Sequence, residues 1–179
     1  MRRALWPLAL LLAACSVALT VNLPDQTLEL PGLADTGERV AYPKDPLAFA
    51  PPALGVVRGL RVEGVLEASQ PLSLTLEFYA RTQDPGQDPD CRSPGLPFAP
   101  QGIGVEPTLY LCPIGPEDER VGEARFQNSR TTPFTLQGTR LAEGIRTGRL
   151  WLGIKASGLP STPVTLIFRN MRAHVVLGL

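Results

Sequence analysis

The sequence predicts an all-β domain, an antiparallel β-sandwich with long Pro/Gly-rich loops. Apolar and polar residues alternate in short stretches along much of the chain, and this period of two is typical of strands with one buried face. Pro and Gly, 19 and 17 residues of 179, are spread between these stretches and favour turns. No long stretch shows the 3.6-residue period of an amphipathic helix, so a mainly helical fold is not expected.

The first two strands are predicted at residues 17–23 and 27–30, where Pro24 and Asp25 interrupt an alternating pattern. Pro31-Gly32 then predicts a turn. Residues 35–52 contain four prolines and are expected to be irregular, with their apolar side chains covering one edge of the core.

The most regular alternation lies in residues 54–80. It predicts two strands, at 60–68 and 72–80, and the turn signal Ser69-Gln70-Pro71 between them predicts an antiparallel hairpin. In the second strand, the pattern places Phe78 on the buried face and both Tyr79 and Arg81 on the opposite face.

The second half of the chain begins with the longest irregular stretch, residues 82–107, which has six prolines. Loops of this length are commonly functional or mobile. Further strands are predicted at 108–111, 121–127, 133–136, 149–157 and 164–177, with a bulge near Asn170 and one helical turn at 141–145. Seven to nine strands in total would suit an immunoglobulin-like or jelly-roll-like sandwich.

The chain has three cysteines, Cys15, Cys91 and Cys112. If Cys15 is modified or removed, Cys91 and Cys112 remain as a pair, and an oxidising compartment would join them in a disulfide. This bond would attach the long loop to the strand that ends at Cys112. The alternative is two free thiols that do not meet.

The N-terminal stretch has the composition of an export signal. Arg2 and Arg3 precede an apolar run that ends in small residues, and this run is too short for a comfortable transmembrane helix. Leu12-Ala13-Ala14-Cys15 resembles the lipobox of bacterial lipoproteins. The resemblance implies removal of residues 1–14, lipidation of Cys15 and a single mature domain at 15–179. Ser16, rather than Asp, follows the cysteine, which by the same resemblance favours the outer membrane.

Two other fates of this stretch remain open. Ordinary signal cleavage after Ala18 would release a soluble exported protein that begins at Leu19. Alternatively, residues 4–23 could be retained as an uncleaved membrane anchor, although Pro7, Thr20 and Asn22 weaken that interpretation.

Charge and motifs argue against several classes of function. Lys plus Arg and Asp plus Glu number 17 each, and loss of Arg2 and Arg3 leaves 15 basic against 17 acidic side chains. Nucleic acid is therefore not an expected partner. The single histidine, His174, lies within a strand, and no nucleophile-elbow, P-loop or dinucleotide-binding motif is present. We expect no enzyme activity and no cofactor.

Two weaker candidate sites remain. Asp84, Asp88 and Asp90 lie close together in the long loop and could offer oxygen ligands to Ca²⁺, although a solvated acidic loop is the simpler interpretation. Tyr79 and Trp151 fall on the faces opposite the apolar ones. If exposed, they could stack on sugar rings; otherwise loops or a second sheet cover them.

Together these observations predict a non-catalytic, lipid-anchored cell-envelope protein. The N-terminal lipid would attach the protein to the membrane. The domain would bind, or form an assembly with, an unidentified envelope protein. A glycan-binding module that uses Tyr79 or Trp151 is the first alternative. A carboxylate-dependent hydrolase is the second, since such chemistry needs only two suitably separated carboxylates.

Overall fold

The computed structural model describes residues 17–30, 36–48, 56–93, 109–158, 160 and 162–178. The predicted signal peptide and Cys15 lie outside these residues. Within them the chain forms eleven strands and one α-helix: β1 (Val17–Asn22), β2 (Gln26–Leu30), β3 (Arg39–Pro43), β4 (Leu47–Ala48), β5 (Val56–Leu72), β6 (Thr75–Arg81), β7 (Leu109–Pro113), β8 (Glu119–Arg125), β9 (Ser129–Gln137), α1 (Thr139–Thr147), β10 (Arg149–Ala156) and β11 (Val164–Gly178). In this part of the chain no helix is long and apolar enough to span a bilayer.

All strand pairs are antiparallel, and the strands form one open sheet in the order β1-β11-β5-β9-β8-β6-β10-β3-β7. β2 also pairs with β11, and β4 pairs with β10. The predicted all-β antiparallel fold is confirmed, with more strands than the seven to nine expected.

The sheet curls around a central core. β11 and β6 are four positions apart in the strand order, which would separate them by about 19 Å in a flat sheet. The rings of Phe168 on β11 and Phe78 on β6 nevertheless have centroids only 6.0 Å apart, and Phe134 on β9 packs against both. The two halves of the sheet therefore face each other across these rings, in a sandwich-like arrangement.

The predicted hairpin of residues 60–68 and 72–80 is wrong. β5 continues through Ser69-Gln70-Pro71, and β9 and β8 lie between it and β6 in the sheet. The pairing of β5 with β9 shifts register between Glu67 and Leu72, so the turn signal produces an irregularity within a strand. Proline is tolerated at such a place because it has no N–H to donate to the ladder.

The predicted break at Pro24 and Asp25 and the predicted bulge near Asn170 are both confirmed, and they face each other. β1 and β2 pair with successive halves of β11, whose pairing with β5 shifts register between Arg169 and Arg172. Asn170 has a positive φ of 53°, and its N–H donates to Asp25 Oδ1 at 3.3 Å. The side chain of Asp25 therefore holds the bulge at the point where the neighbouring strand is interrupted.

A second apolar cluster lies outside the main core. It contains Val40, Tyr42, Tyr79, Cys112 and Trp151, with Cys91 and Tyr110 partly buried against it. β6 and β10 contribute to the main core from one face and to this second cluster from the other. Both faces of these two strands are consequently covered.

Candidate functional site

Arg81, the last residue of β6, is buried with only 1% of its surface exposed. A buried cation is costly unless it is paired. Its Nη2 donates to Asp88 Oδ2 at 2.8 Å, and its Nε lies 3.6 Å from Asp118 Oδ1. Arg81, Asp88, Asp118, Tyr42 and the bonded pair Cys91–Cys112 are called the Arg81 cluster below.

Asp118 and Tyr42 form one side of the Arg81 cluster. The Tyr42 O–H donates to Asp118 Oδ1 at 2.7 Å, and the Gly115 N–H donates to Oδ2 at 2.8 Å. The guanidinium carbon of Arg81 lies 5.4 Å from the centroid of the Tyr42 ring, a cation–π distance. Burial, followed by the hydrogen bond to Asp118, raises the pKa of Tyr42 far above its usual value. Tyr42 is therefore a neutral donor at physiological pH.

The predicted disulfide between Cys91 and Cys112 is present and forms the other side of the cluster. Arg81 Nη1 lies 3.3 Å from the Sγ of Cys91 and 3.4 Å from the Sγ of Cys112. Next to the bond, Arg92 and Leu111 exchange backbone hydrogen bonds of 2.9 and 2.8 Å. The part of the long loop that the structure describes is thus attached to β7 at two adjacent points.

The side chains of Asp84 and Asp88 have separate structural roles, and Asp90 contributes backbone hydrogen bonds. Asp84 accepts from the Gly86 N–H at 2.8 Å and caps a single 3₁₀ turn, Pro85–Gln87. Asp88 binds Arg81, and this hydrogen bond, followed by one from the Asp90 N–H, lowers the pKa of the Asp88 carboxyl. No three His, Cys, Asp or Glu side chains form a metal-ligand group in the described ranges, so Asp84, Asp88 and Asp90 do not come together as the weak Ca²⁺ hypothesis requires.

Of the two possibilities considered for Tyr79 and Trp151, exposure is wrong and coverage by other parts of the chain is correct. They are 6% and 2% exposed because β6 and β10, on which they lie, are covered on both faces. The Tyr79 O–H donates to Glu77 Oε2 at 3.2 Å, and Trp151 Nε1 donates to the Lys44 carbonyl at 3.3 Å. Neither ring presents a face on which a sugar could stack.

Two shallow clefts lie on the surface, one beside the Arg81 cluster and one beside helix α1. One of about 340 Å³ lies beside the Arg81 cluster and is lined by residues that include Lys44, Asp45, Asp84, Tyr110, Arg149 and Trp151. The other, of about 520 Å³, lies between α1 and the start of β5 and is lined by residues that include Arg58, Glu119, Glu143 and Arg146. Both are open, and neither is lined by cysteine, serine or histidine.

The Arg81 cluster is arranged for attachment of a loop. Asp88 and Asp118 are both engaged by a cation or by N–H and O–H donors, and the lowered pKa of Asp88 makes it a poor general base at neutral pH. His174 lies elsewhere, on β11, and is partly exposed. Its Nδ1 lies 3.2 Å from Thr20 Oγ1, and its Nε2 lies 3.2 Å from Glu63 Oε1. The cluster holds the loop after β6 against β3 and β7.

Alternation along β6 placed Arg81 with the polar residues, so its central position was missed. A signal was nevertheless present. Arg81 directly precedes a loop that contains three aspartates and Cys91. A cation next to several carboxylates in a loop with a cysteine that can form a disulfide indicates an ion pair within that loop. Asp118 gave no such signal, because it stands in an acidic turn of ordinary appearance, Glu117-Asp118-Glu119.

Comparisons with known proteins do not assign this arrangement to a family: no family model, no curated protein and no solved structure matches the chain.

Proposed function

We propose that this chain is a non-catalytic, lipid-anchored module of the bacterial cell envelope, whose mature form begins at a lipidated Cys15. Its domain would act by binding an envelope protein or by supporting an assembly. The observation that carries the proposal is the position of β1, which begins at Val17, two residues after the lipobox-like cysteine.

The extent of β1 supports cleavage before Cys15 over the two alternatives. Val17 and Ala18 pair with Leu177 and Val176 of β11, and cleavage after Ala18 would remove both pairs. A retained anchor over residues 4–23 would need a helix through residues that β1 uses as a strand. Cleavage before Cys15 leaves the whole of β1 in the mature protein.

The disulfide supports export. Cytosolic thiols are generally kept reduced, whereas an extracytoplasmic compartment oxidises cysteines that lie close together. A bonded Cys91–Cys112 pair, buried at Cys112, fits a protein that matures outside the cytoplasm.

The site geometry supports a non-catalytic role. The acidic groups of the Arg81 cluster hold a loop in place, which is a structural task. The glycan-binding alternative depended on exposed aromatic rings, and the burial of Tyr79 and Trp151 removes that basis.

Intact mass spectrometry of the protein from the membrane fraction tests this proposal. We expect a mature chain that begins at Cys15 and carries acyl chains, and whose mass rises by two hydrogen atoms on reduction. Cys15→Ser is the matched variant and should leave an unacylated precursor. A soluble, unacylated wild-type chain that begins at Leu19 would overturn the lipid anchor and favour a diffusible ligand.

A further inference from the structure

Exposed apolar side chains are concentrated at one edge of the sheet. In the part of the chain that the structure describes, four large apolar residues are exposed: Leu19 (50%), Val21 (40%), Val176 (39%) and Ile114 (43%). The first three lie on β1 and β11, whereas Ile114 follows β7 at the opposite end of the strand order. Val176 pairs with Ala18 and so lies on the opposite face of the sheet from Leu19 and Val21. Leu19 and Val21 alone are called the β1 strip below.

Leu19 and Val21 continue the core-facing side of the sheet beyond the region that the opposite half covers. Leu19 pairs with Val175 and Val21 with Ala173. Val175 and Ala173 in turn pair with Leu60 and Val62 of β5, which belong to the buried core. Directly opposed residues of antiparallel strands share a face, so the core surface extends to β1 and becomes exposed there.

The position of Cys15 suggests what covers this surface. Cys15 and Leu19 are four positions apart in the chain, which limits the distance between their Cα atoms to about 14 Å. A diacylglyceryl group on Cys15 would hold that residue at the membrane surface. Leu19 would then be kept within the same short distance of the bilayer, with Val21 two positions further along β1.

We propose that the β1 strip is a membrane-contacting surface that rests in the interfacial layer of the bilayer in which the lipid of Cys15 is inserted. This inference rests on the lipid anchor proposed above and specifies how the domain is oriented on it. Apolar contact at the boundary between headgroups and acyl chains adds to the affinity of an acyl anchor.

The interfacial depth follows from the backbone of β1. β1 is the last strand of the described sheet and pairs only with β11, so its outer N–H and C=O groups need water. The hydrocarbon interior would leave those groups unsatisfied, whereas the headgroup layer is hydrated.

Tryptophan variants can test this orientation, because the only tryptophan outside the predicted signal is the buried Trp151. Leu19→Trp adds a probe within the β1 strip, and Ile114→Trp adds one at a similarly exposed apolar position on the far edge. Each full chain is expressed with its signal, purified from membranes and checked for acylation by mass. It is then reconstituted into phosphatidylethanolamine/phosphatidylglycerol vesicles with and without brominated lipid.

We expect brominated lipid to quench much of the fluorescence of the tryptophan introduced by Leu19→Trp. The fluorescence of the tryptophan introduced by Ile114→Trp should not change. Val21→Trp provides a second probe if circular dichroism shows that Leu19→Trp is misfolded. Acylated protein without quenching at positions 19 and 21, or with equal quenching at 114, overturns the membrane-contacting surface and leaves the anchor intact. Absence of acylation overturns both proposals. A fluorescence of the tryptophan at position 19 that changes on protein dilution, and not with brominated lipid, indicates that a second copy of the chain covers this edge. That result would also overturn the proposal of a membrane-contacting surface.

Discussion

Arg81 Nη2 and Asp88 Oδ2 lie 2.8 Å apart, and this ion pair joins the end of β6 to the loop that follows it. The disulfide closes the same loop a few residues later, in contact with the same guanidinium group. A charged contact and a covalent bond thus hold one segment from both sides. The energetic consequences of this arrangement can be tested by substitution.

Asp118→Ala should be strongly destabilising. The Asp118 side chain is 1% exposed, and its removal would deprive buried Arg81 of a neighbouring charge and the Tyr42 O–H of its acceptor. Breaking one partner of a buried ion pair costs about 3–5 kcal/mol, and equilibrium urea unfolding would measure the loss. Asp45→Ala, at an exposed position, is the control and should change stability by less than about 0.5 kcal/mol. Equal effects of the two substitutions would contradict the structural role of the cluster.

Reduction of the disulfide should lower the melting temperature. The bonded cysteines are 21 residues apart, and closing a loop of this length is worth roughly 3 kcal/mol in the chain-entropy model. Thermal unfolding with and without reductant would show the shift. The double variant Cys91→Ser/Cys112→Ser should melt close to the reduced protein and should not respond to reductant. A wild-type transition that reductant leaves in place would argue against the bond.

Glu119→Gln should weaken the dependence of stability on acid pH. The backbone N–H groups of Thr139 and Arg140, at the start of α1, donate to the Glu119 carboxylate at 3.0 and 2.5 Å, and Gly138 before them has no side chain to cap the helix. Burial raises the pKa of Glu119, but these hydrogen bonds, one from the Thr139 O–H and the nearby Arg140 charge outweigh it, so the pKa is lowered.

The sign of the effect follows from that lowered pKa. The contribution of Glu119 to stability is fully present above its unfolded pKa of about 4.5 and is lost as pH falls through the lower folded value. We expect Glu119→Gln to cost roughly 1 kcal/mol at neutral pH, as for a lost helix cap, and to unfold with a shallower slope below pH 4.5. Glu29→Gln, on the exposed part of β2, is the matched control. Identical acid unfolding of Glu119→Gln and wild type would refute the capping role.

Gly153→Ala should destabilise the second apolar cluster. A Cβ at position 153 would lie 2.5 Å from atoms of Tyr42 and Val40, which pack directly against the β10 backbone. Overpacking of this kind costs about 1–3 kcal/mol. Gly59→Ala is the control, because its Cβ would meet Val176 at an ordinary 3.8 Å. Thermal unfolding of the two variants should separate them clearly, and equal melting temperatures would contradict the close packing.

Local chemistry was sufficient to predict several features of this protein. Alternating residues predicted the all-β class and most strand positions, because the side-chain period of a strand is a property of its own backbone. Pro24 and Asp25 predicted an interruption, and the change of apolar phase predicted the bulge at Asn170. The pairing of Cys91 with Cys112 was predicted because only these two cysteines remain after Cys15 and because an oxidising compartment favours a disulfide.

Other features depended on which elements become neighbours. Ser69-Gln70-Pro71 has the composition of a turn, but β5 stays extended through it, with Ala68 paired to β11 on one side and Leu72 paired to β9 on the other. Helix α1 runs from Thr139 to Thr147, well beyond the predicted single turn, because Glu119 caps it from a separate strand.

The sequence by itself determined the strand pattern, the disulfide and the export-like N-terminal stretch, because each depends on residues close in the chain or on residue type alone. Only the tertiary structure decided that Tyr79, Arg81 and Trp151 are buried. Alternation distinguishes the two faces of a strand, but it does not reveal whether a further layer covers the second face. Here β3, β7 and the disulfide-bonded loop supply that layer, and its contacts turn an apparently exposed arginine into the centre of a buried ion-pair cluster.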